Sequence, residues 1–237
     1  MALRPVGILG GMGPEATILL QNKLVKAVPA SDDRDHIPLL IDMNPQVPSR
    51  IAHLIAGNGE NPGPTLTAMA RRLQAAGALA LAMPCNTAHH YAKAITGAVS
   101  IPLLNMVELT ADHAVRTIGH GGCVGMLASP AVRRTRLFED ALSARGLSVV
   151  WPADDEGMLS AIRSIKVSGP CGDARETLRI ASHELVAAGV DLQIVACSEF
   201  SLIADSVVAD TNVIDTIDLL VAGICEFSQA SQLGEAE

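Results

Sequence analysis

Short apolar runs alternate along the chain with longer segments whose apolar residues recur every three or four positions. The first kind is typical of buried strands and the second of amphipathic helices. The predicted strands are Val6–Leu9, Pro38–Met43, Ala78–Met83, Cys123–Leu127, Ser148–Trp151 and Leu192–Ala196. The predicted helices are Glu15–Val28, Thr65–Ala76, Thr87–Ile95, Asn105–Ile118, Val132–Arg145, Arg175–Ala188 and Ile214–Cys225. Because strands and helices alternate, we expect an α/β fold of parallel sheets flanked by helices.

One unit of this pattern occurs twice. The end of a predicted helix, Leu73–Gly77, matches Leu185–Gly189 at its leucine, alanine and glycine positions, and each copy precedes a strand that ends in a cysteine, Cys85 or Cys197. We therefore expect two similar domains, residues 1–103 and 104–210, related by a pseudo-twofold axis. The last helix, within residues 211–228, is expected to pack back on the first domain. Ligands of parallel sheets bind beyond the carboxyl ends of the strands, which predicts a site in the cleft between the domains.

The composition and net charge limit the classes of binding partner and the cellular compartment that we expect. The chain has 237 residues, of which 49% are hydrophobic, and a formal net charge of -8. This charge argues against a nucleic-acid partner and leaves a small anionic substrate open. Without an apolar run of membrane-spanning length or a leader-like start, we expect a cytoplasmic protein that does not enter a membrane. The five cysteines are then reduced thiols, and none lies in a CxxC pair, so we expect no metal site.

The two repeated cysteines suggest acid–base chemistry on opposite faces of one carbon atom. A free thiol has a pKa of about 8.5, and a helix N-terminus after each cysteine favours the thiolate. Asn86, Thr87 and Ser198 follow the cysteines directly and could hold a substrate carboxylate. A lone buried cysteine is more often a small core residue, and only the matched placement favours a catalytic pair.

The glycine-rich start offers a competing interpretation. Residues 11–16 fit the G-x-G-x-x-A pattern of a dinucleotide-binding turn after a strand. Pro14 removes a backbone N–H from such a cradle, and Glu15 puts negative charge where a pyrophosphate would lie. The other interpretation is a tight strand-to-helix turn with Pro14 at the first helical position.

Four motifs that run through most of the chain in one order carry a resemblance to a known family. They are Gly7–Thr17, Asn44–Arg50, Pro84–His89 and Ala196–Glu199. Together they resemble the aspartate/glutamate racemase family, whose members racemise amino acids without pyridoxal phosphate. The resemblance implies two α/β domains with the site between them, no cofactor and a homodimer.

The resemblance also implies roles for individual residues. Cys85 and Cys197 match the opposed acid and base of the family. Arg50 matches an arginine that binds the substrate carboxylate, and Lys166, on a predicted loop, falls where the family has a substrate-binding lysine. The implied substrate-binding residues, including one from the opening motif, are Met12, Arg50, Asn86, Thr87, Lys166, Ser198 and Glu199. Glu199 could either orient a thiol or take the substrate ammonium.

Departures from the family pattern concern the substrate more than the reaction. Ser49 stands where an aspartate is common, Ala196 and Ser198 replace glycine and threonine, and Ser129–Val132 replaces a region with a Gly-Thr pair. We expect a racemase of acidic amino acids, aspartate first and glutamate second. Two alternatives stay open: a lyase or cis-trans isomerase of the same superfamily acting on a dicarboxylate, and a non-catalytic ligand-binding protein.

Overall fold

The computed structural model of the chain describes residues 3–208 and 212–230. Its eight strands form two sheets of four strands each, and neighbouring strands run parallel throughout. The strands are β1 Val6–Gly10, β2 Leu39–Met43, β3 Ala80–Ala82, β4 Leu103–Leu104, β5 Cys123–Ala128, β6 Ser148–Val150, β7 Leu192–Ala196 and β8 Asn212–Asp215. The strand orders β2-β1-β3-β4 and β6-β5-β7-β8 are equivalent. The predicted α/β class, with two parallel sheets flanked by helices, is confirmed.

Nine α-helices flank the sheets in the described residues. They are α1 Pro14–Ala27, α2 Gly63–Ala75, α3 Ala92–Thr96, α4 Met106–Ile118, α5 Pro130–Thr135, α6 Leu137–Ser143, α7 Asp155–Ser168, α8 Gly172–Ala187 and α9 Thr216–Gln229. Short 3-10 segments occur at Asp33–Asp35, Thr87–Tyr91 and Phe200–Ser206, and a π-helical turn occurs at Ala52–Ala56. Within the described part of the chain, no helix is both long and apolar enough to cross a membrane.

The repeat seen in the sequence is also a repeat of packing. A Cβ added to Gly7, in β1, would lie 3.0 Å from the Cβ of Leu73 in α2. A Cβ added to Gly125, at the matching place in β5, would lie 3.1 Å from the Cβ of Leu185 in α8. Each central strand therefore carries a glycine where the repeated leucine packs, which brings helix and sheet close together.

The glycines that follow α2 and α8 end these helices as the sequence predicted. Gly77 and Gly189 have φ angles of 100° and 74°, a left-handed conformation that glycine adopts without strain. In each turn the residue after the glycine donates its N–H to the repeated leucine, at 3.1 Å from Ala78 to Leu73 and 3.4 Å from Val190 to Leu185. The turns feed β3 and β7, which lead to the two cysteines.

Two predicted helices and one predicted loop need correction. Thr87–Ile95 is a 3-10 turn followed by α3, and Val132–Arg145 is broken into α5 and α6. Arg136 breaks it because its φ of 55° leaves the right-handed helical region. Lys166 lies in α7, a helix that we did not predict, and not on a loop.

The last helix packs against elements of the first half. Ile217, Leu220 and Ile224 of α9 share an apolar cluster with Val6 of β1 and Leu20 of α1. The helix begins at Thr216, after the short strand β8, and not at Ile214 as predicted. The predicted limits at residues 210 and 211 lie outside the described residues.

Candidate active site

A cavity of about 470 Å³ opens where the carboxyl ends of both sheets face each other. Its walls include the residues that directly follow the strands of each half: Gly11 after β1, Ser129 after β5 and Cys197 after β7. Cys85, three residues beyond β3, lines the same cavity. Parallel strands present their carboxyl ends at one edge of a sheet, so two such sheets can enclose a single site between their edges.

The turn into α1 forms one wall of the cavity. Gly11 has a φ of 90°, and a Cβ there would lie 2.4 Å from the backbone carbon of Asn44, so only glycine fits. Met12 lines the cavity beside it, and Pro14 is the first residue of α1. This is the tight strand-to-helix turn that we had weighed against a dinucleotide cradle.

Cys85 is held by a neutral histidine. Cys85 is 6% exposed, and its carbonyl oxygen accepts a hydrogen bond from Nδ1 of His89 at 2.9 Å. Nε2 of His89 accepts the N–H of Met106 at 3.1 Å. Burial lowers the pKa of His89 to about 4, against the opposing effect of its bond to Cys85. His89 therefore stays uncharged at neutral pH and fixes the loop that carries Cys85.

Cys197 belongs to a chain of three polar groups. Its Sγ donates to Oε2 of Glu199 at 3.2 Å, and Oε1 of Glu199 pairs with Nζ of Lys166. Burial raises the pKa of Cys197 well above its ordinary value, and the charge of Glu199 raises it further. Burial lowers the pKa of Lys166, but the charge of Glu199 and its hydrogen bond outweigh burial and raise it. Cys197 is therefore a protonated thiol beside an ion pair.

Arg50 reaches the cavity from the segment that follows β2. Its Nη1 donates to the carbonyl oxygens of Val47 and Pro48, at 3.3 and 3.0 Å. Its buried Nε has no hydrogen-bond partner among the described residues. Because Arg50 lines the cavity, its guanidinium is a cation that can bind a carboxylate of a ligand.

Two hydroxyl groups meet at the cavity from opposite halves. Oγ1 of Thr87 and Oγ of Ser129 are 3.4 Å apart, and both residues line the cavity. Our sequence interpretation noted Ser129 as a departure from the family but did not place it in the site. The signal was present, because a serine that follows a predicted strand and precedes a proline is typical of a helix N-cap. Ser129 indeed caps α5.

Two predicted substrate ligands do not line the cavity. Asn86 and Ser198 are each 2% exposed. Nδ2 of Asn86 donates to Oγ1 of Thr216 at 3.0 Å, and Oγ of Ser198 lies 3.5 Å from Oε2 of Glu199. The other predicted site residues, Met12, Arg50, Cys85, Thr87, Lys166, Cys197 and Glu199, line one cavity. The roles of Asn86 and Ser198 as substrate ligands stay a prediction from the resemblance.

The described lining of the cavity has as many cationic as anionic side chains. Among the described lining residues, the cations are Arg50 and Lys166 and the anions are Glu15 and Glu199. Within residues 3–208 and 212–230, no group of three or more His, Cys, Asp or Glu side chains could hold a metal ion. The arrangement can hold a zwitterion between a cation and a carboxylate, with two thiols at hand.

Comparisons with known proteins identify the family of the chain. Residues 9–224 match the family described as Asp/Glu/Hydantoin racemase. The broad specificity amino-acid racemase RacX of Bacillus subtilis (strain 168) is 26% identical over 221 residues, 89% of this chain and 92% of that protein. Picrophilus torridus aspartate racemase is 28% identical, with a TM-score of 0.85 over 95% of this chain and 94% of its own. Glutamate racemase of Francisella tularensis, 15% identical with a TM-score of 0.66 over 98% and 85% of the two chains, shares the fold.

Proposed function

Because the chain belongs to the Asp/Glu/Hydantoin racemase family, we propose that it racemises an amino acid with Cys85 and Cys197 as its acid and base. The family and the racemase relatives make it an isomerase of the amino-acid racemase type. The observation that carries the two-thiol proposal is their placement. The two cysteines follow equivalent strands of equivalent sheets, and both line one cavity.

The proposed reaction moves one proton off the α-carbon and another one onto it. The thiolate of Cys85 takes the α-proton and becomes a thiol, and the electron pair left on carbon delocalises into the substrate carboxylate. The thiol of Cys197 then gives its proton to the opposite face and becomes a thiolate. The substrate is inverted and its atoms are unchanged. The raised pKa of Cys197 supports its role as the acid in this direction, and the opposite enantiomer requires the opposite protonation.

We assign the stabilisation of the intermediate to Arg50 and two hydroxyl groups. Negative charge that develops on the substrate carboxylate is stabilised by fixed donors in a site that excludes water. Arg50, Thr87 and Ser129 line the same cavity, and the hydroxyls of Thr87 and Ser129 lie 3.4 Å apart. Glu199 would accept the substrate ammonium with the oxygen that Lys166 now occupies.

Acidic amino acids, aspartate before glutamate, are the proposed substrates. Lys166 would bind the side-chain carboxylate after leaving Glu199, so that each cation of the cavity takes one carboxylate. One observation favours a second candidate class, neutral amino acids. Ile162, Ile165 and Leu202 form an apolar part of the wall next to Lys166, and RacX is described as having broad specificity.

The deciding experiment follows α-proton exchange and optical rotation in deuterium oxide. Both enantiomers of aspartate and glutamate, and a panel of neutral amino acids, are each incubated with the full chain. We expect aspartate to lose optical rotation while it gains one deuterium at the α-carbon. Absence of exchange with every amino acid contradicts the proposal. A malonate and a maleate are incubated in parallel, and net conversion of either would instead favour the lyase or cis-trans isomerase.

Single substitutions test the two thiols. Cys85→Ala and Cys197→Ala are each expected to lower kcat by about 10³-fold or more, because a positioned acid or base contributes about 10²–10⁴-fold. Cys123→Ala and Cys171→Ala are matched controls, since both are free cysteines that lie outside the cavity lining. Full racemase activity in either Cys85→Ala or Cys197→Ala refutes the pair.

A homodimer and a cytoplasmic location are further parts of the proposal. Both come from the sequence and its resemblance to the family. Light scattering on the full chain across a range of protein concentrations tests the oligomeric state, with a mass of twice 24.6 kDa expected.

A further inference from the structure

A buried hydroxyl joins the two loops that carry the cysteines. Oγ1 of Thr216, at the start of α9, accepts the hydrogen bond of Nδ2 of Asn86 at 3.0 Å. The same oxygen donates to the carbonyl oxygen of Val195 at 3.1 Å. Asn86 directly follows Cys85, and Val195 lies two residues before Cys197. One hydroxyl therefore connects the first cysteine loop to the strand of the second.

The residue before Thr216 makes a second connection on the same side. Oδ1 of Asp215 accepts hydrogen bonds from Oγ of Ser201 and from the N–H of Ile217, both at 2.8 Å. Oγ of Ser201 also lies 3.3 Å from the carbonyl oxygen of Cys197, so its single O–H proton is shared between this oxygen and the closer Asp215. The start of α9 thus holds the Cys197 loop through Asp215 and Ser201, and the Cys85 loop through Thr216.

A small displacement of these contacts would alter the positions of both thiols. Thr216 is fully buried and Asn86 is 2% exposed, so neither bond competes with water. The bonded residues are 130 positions apart in the chain and follow strands of different sheets. In a two-base reaction both sulfurs must reach the same α-carbon from opposite faces, and a displacement of about 1 Å can cost about 10²-fold in rate.

We propose that Thr216 is a positioning residue that sets the separation and alignment of the Cys85 and Cys197 thiols through its bonds to Asn86 and Val195. This inference rests on the proposed racemase function and assigns a part to α9, which contributes no side chain to the cavity lining. Thr216 does not touch the substrate in this proposal. It acts on the rate of proton delivery after the α-proton has been removed, because misaligned thiols still allow one sulfur to approach carbon.

The test is Thr216→Val, which keeps the shape of the side chain and removes both hydrogen bonds. Enantiomerically pure L-aspartate, or the panel amino acid that the wild type racemises fastest, is incubated in deuterium oxide. We expect kcat to fall by about 10–100-fold while KM changes by less than about threefold. The carbanion then persists longer before the second thiol protonates it, and meanwhile the first thiol exchanges its proton with solvent. Deuterium in the unreacted enantiomer should therefore rise relative to inversion.

Two further variants separate positioning from general loss of structure. Thr216→Ser restores the hydroxyl and should recover most of kcat and the wild-type ratio of exchange to inversion. Thr110→Val is the matched control, because Thr110 is also fully buried and its hydroxyl donates only within its own helix, to Met106 at 2.7 Å. Its ratio should stay at the wild-type value.

Asn86→Ala keeps the proposal testable if Thr216→Val fails to fold. Measured alone, it should lower kcat and raise the ratio of exchange to inversion. Where Thr216→Val folds, the losses of kcat in the double variant should not multiply, since both substitutions remove the bond between Asn86 and Thr216. An unchanged ratio of exchange to inversion in either variant that folds overturns the positioning role and leaves the racemase function standing. Absence of racemisation in the wild type overturns both.

Discussion

At the scale of single residues, Glu199 controls the state of the second thiol. Its carboxylate accepts the Sγ–H of Cys197 with one oxygen and pairs with the Lys166 ammonium with the other. Burial of Cys197 raises the pKa of its thiol, and the negative charge of Glu199 adds to this effect. A neutral side chain of the same shape would remove the second effect and would free the Lys166 cation to favour a thiolate.

We therefore expect Glu199→Gln to move the alkylation profile of Cys197 to lower pH. The measurement is the rate of iodoacetamide labelling at Cys197 between pH 6 and 10, read by peptide mass spectrometry. Glu15→Gln is the control, because Glu15 also lines the cavity but lies on its exposed rim. A Cys197 profile that stays in place, or moves to higher pH, contradicts the control of this thiol by Glu199.

The sequence predicted the participants of this network but not their contacts. Cys197 and Glu199 are two residues apart, so their proximity is local, whereas Lys166 joins them from α7 across 33 positions. The position of Asn86 and Ser198 outside the cavity lining was not predictable for the same reason. Their positions next to the cysteines are visible in the chain, but the side of the loop that each side chain faces depends on tertiary packing, as the bond from Asn86 to Thr216 shows.

At the scale of elements, the sequence analysis missed one helix, α7, and one helix break, between α5 and α6. α7 has ordinary helix signals: Asp154 caps it, Met158, Ile162 and Ile165 recur on one buried face, and Gly169 ends it with a φ of 71°. It could have been predicted. The break between α5 and α6 could not have been predicted. Arg136 adopts a left-handed conformation that arginine rarely takes, and the neighbouring residues give no sign of it.

The strained conformation of Arg136 predicts a stabilising substitution. Arg136→Gly should raise the free energy of unfolding by about 1 kcal/mol, since a left-handed conformation costs an L-residue about 1–2 kcal/mol and glycine nothing comparable. The side chain offers little in return, because its contact with Asp140 is largely exposed. Urea unfolding of both proteins measures the change.

A second glycine substitution supplies the control for Arg136→Gly. Arg163 is exposed on α7 in ordinary helical conformation, so Arg163→Gly should lower the free energy of unfolding by about 1 kcal/mol. Opposite signs at the two positions are expected because the backbone conformation, and not the lost arginine, determines the effect. A loss of stability in Arg136→Gly of the same size as in Arg163→Gly refutes the strain.

At the scale of the whole molecule, the repeat made two similar halves predictable, but the connection between them was not. The matched glycines and leucines of α2 and α8 are local patterns, and they carried the prediction of two sheets. The start of α9 lies between the cysteine loops, where Asp215 is buried and its Oδ2 has no hydrogen-bond partner among the described residues. Apolar neighbours, Ile214 and Ile217, flank Asp215 in the sequence, but they do not show that it contacts the loop of the second cysteine.

At neutral pH, the buried negative charge of Asp215 lowers the free energy of unfolding. Burial raises its pKa from 3.8 to about 6, against the lowering effects of its bond to Ile217, of Lys23 and of Ser201. The folded protein therefore binds this proton more tightly than the unfolded chain does. Between pH 4 and 6 the free energy of unfolding should fall as the pH rises, and above pH 6 the whole penalty, about 2–3 kcal/mol for a shift of about two pKa units, applies.

Asp215→Asn should remove this penalty and keep the helix cap, because asparagine caps helices as well as aspartate does. We expect its free energy of unfolding to exceed that of the wild type by about 2 kcal/mol at pH 7.5. The difference should nearly vanish near pH 4, where the wild-type carboxyl is protonated in the folded state and about half protonated in the unfolded chain. Urea unfolding across this pH range measures the difference. Asp154→Asn, the same substitution at an exposed N-cap, should show no comparable pH dependence. If the advantage of Asp215→Asn persists at pH 4, it comes from packing and not from the buried charge.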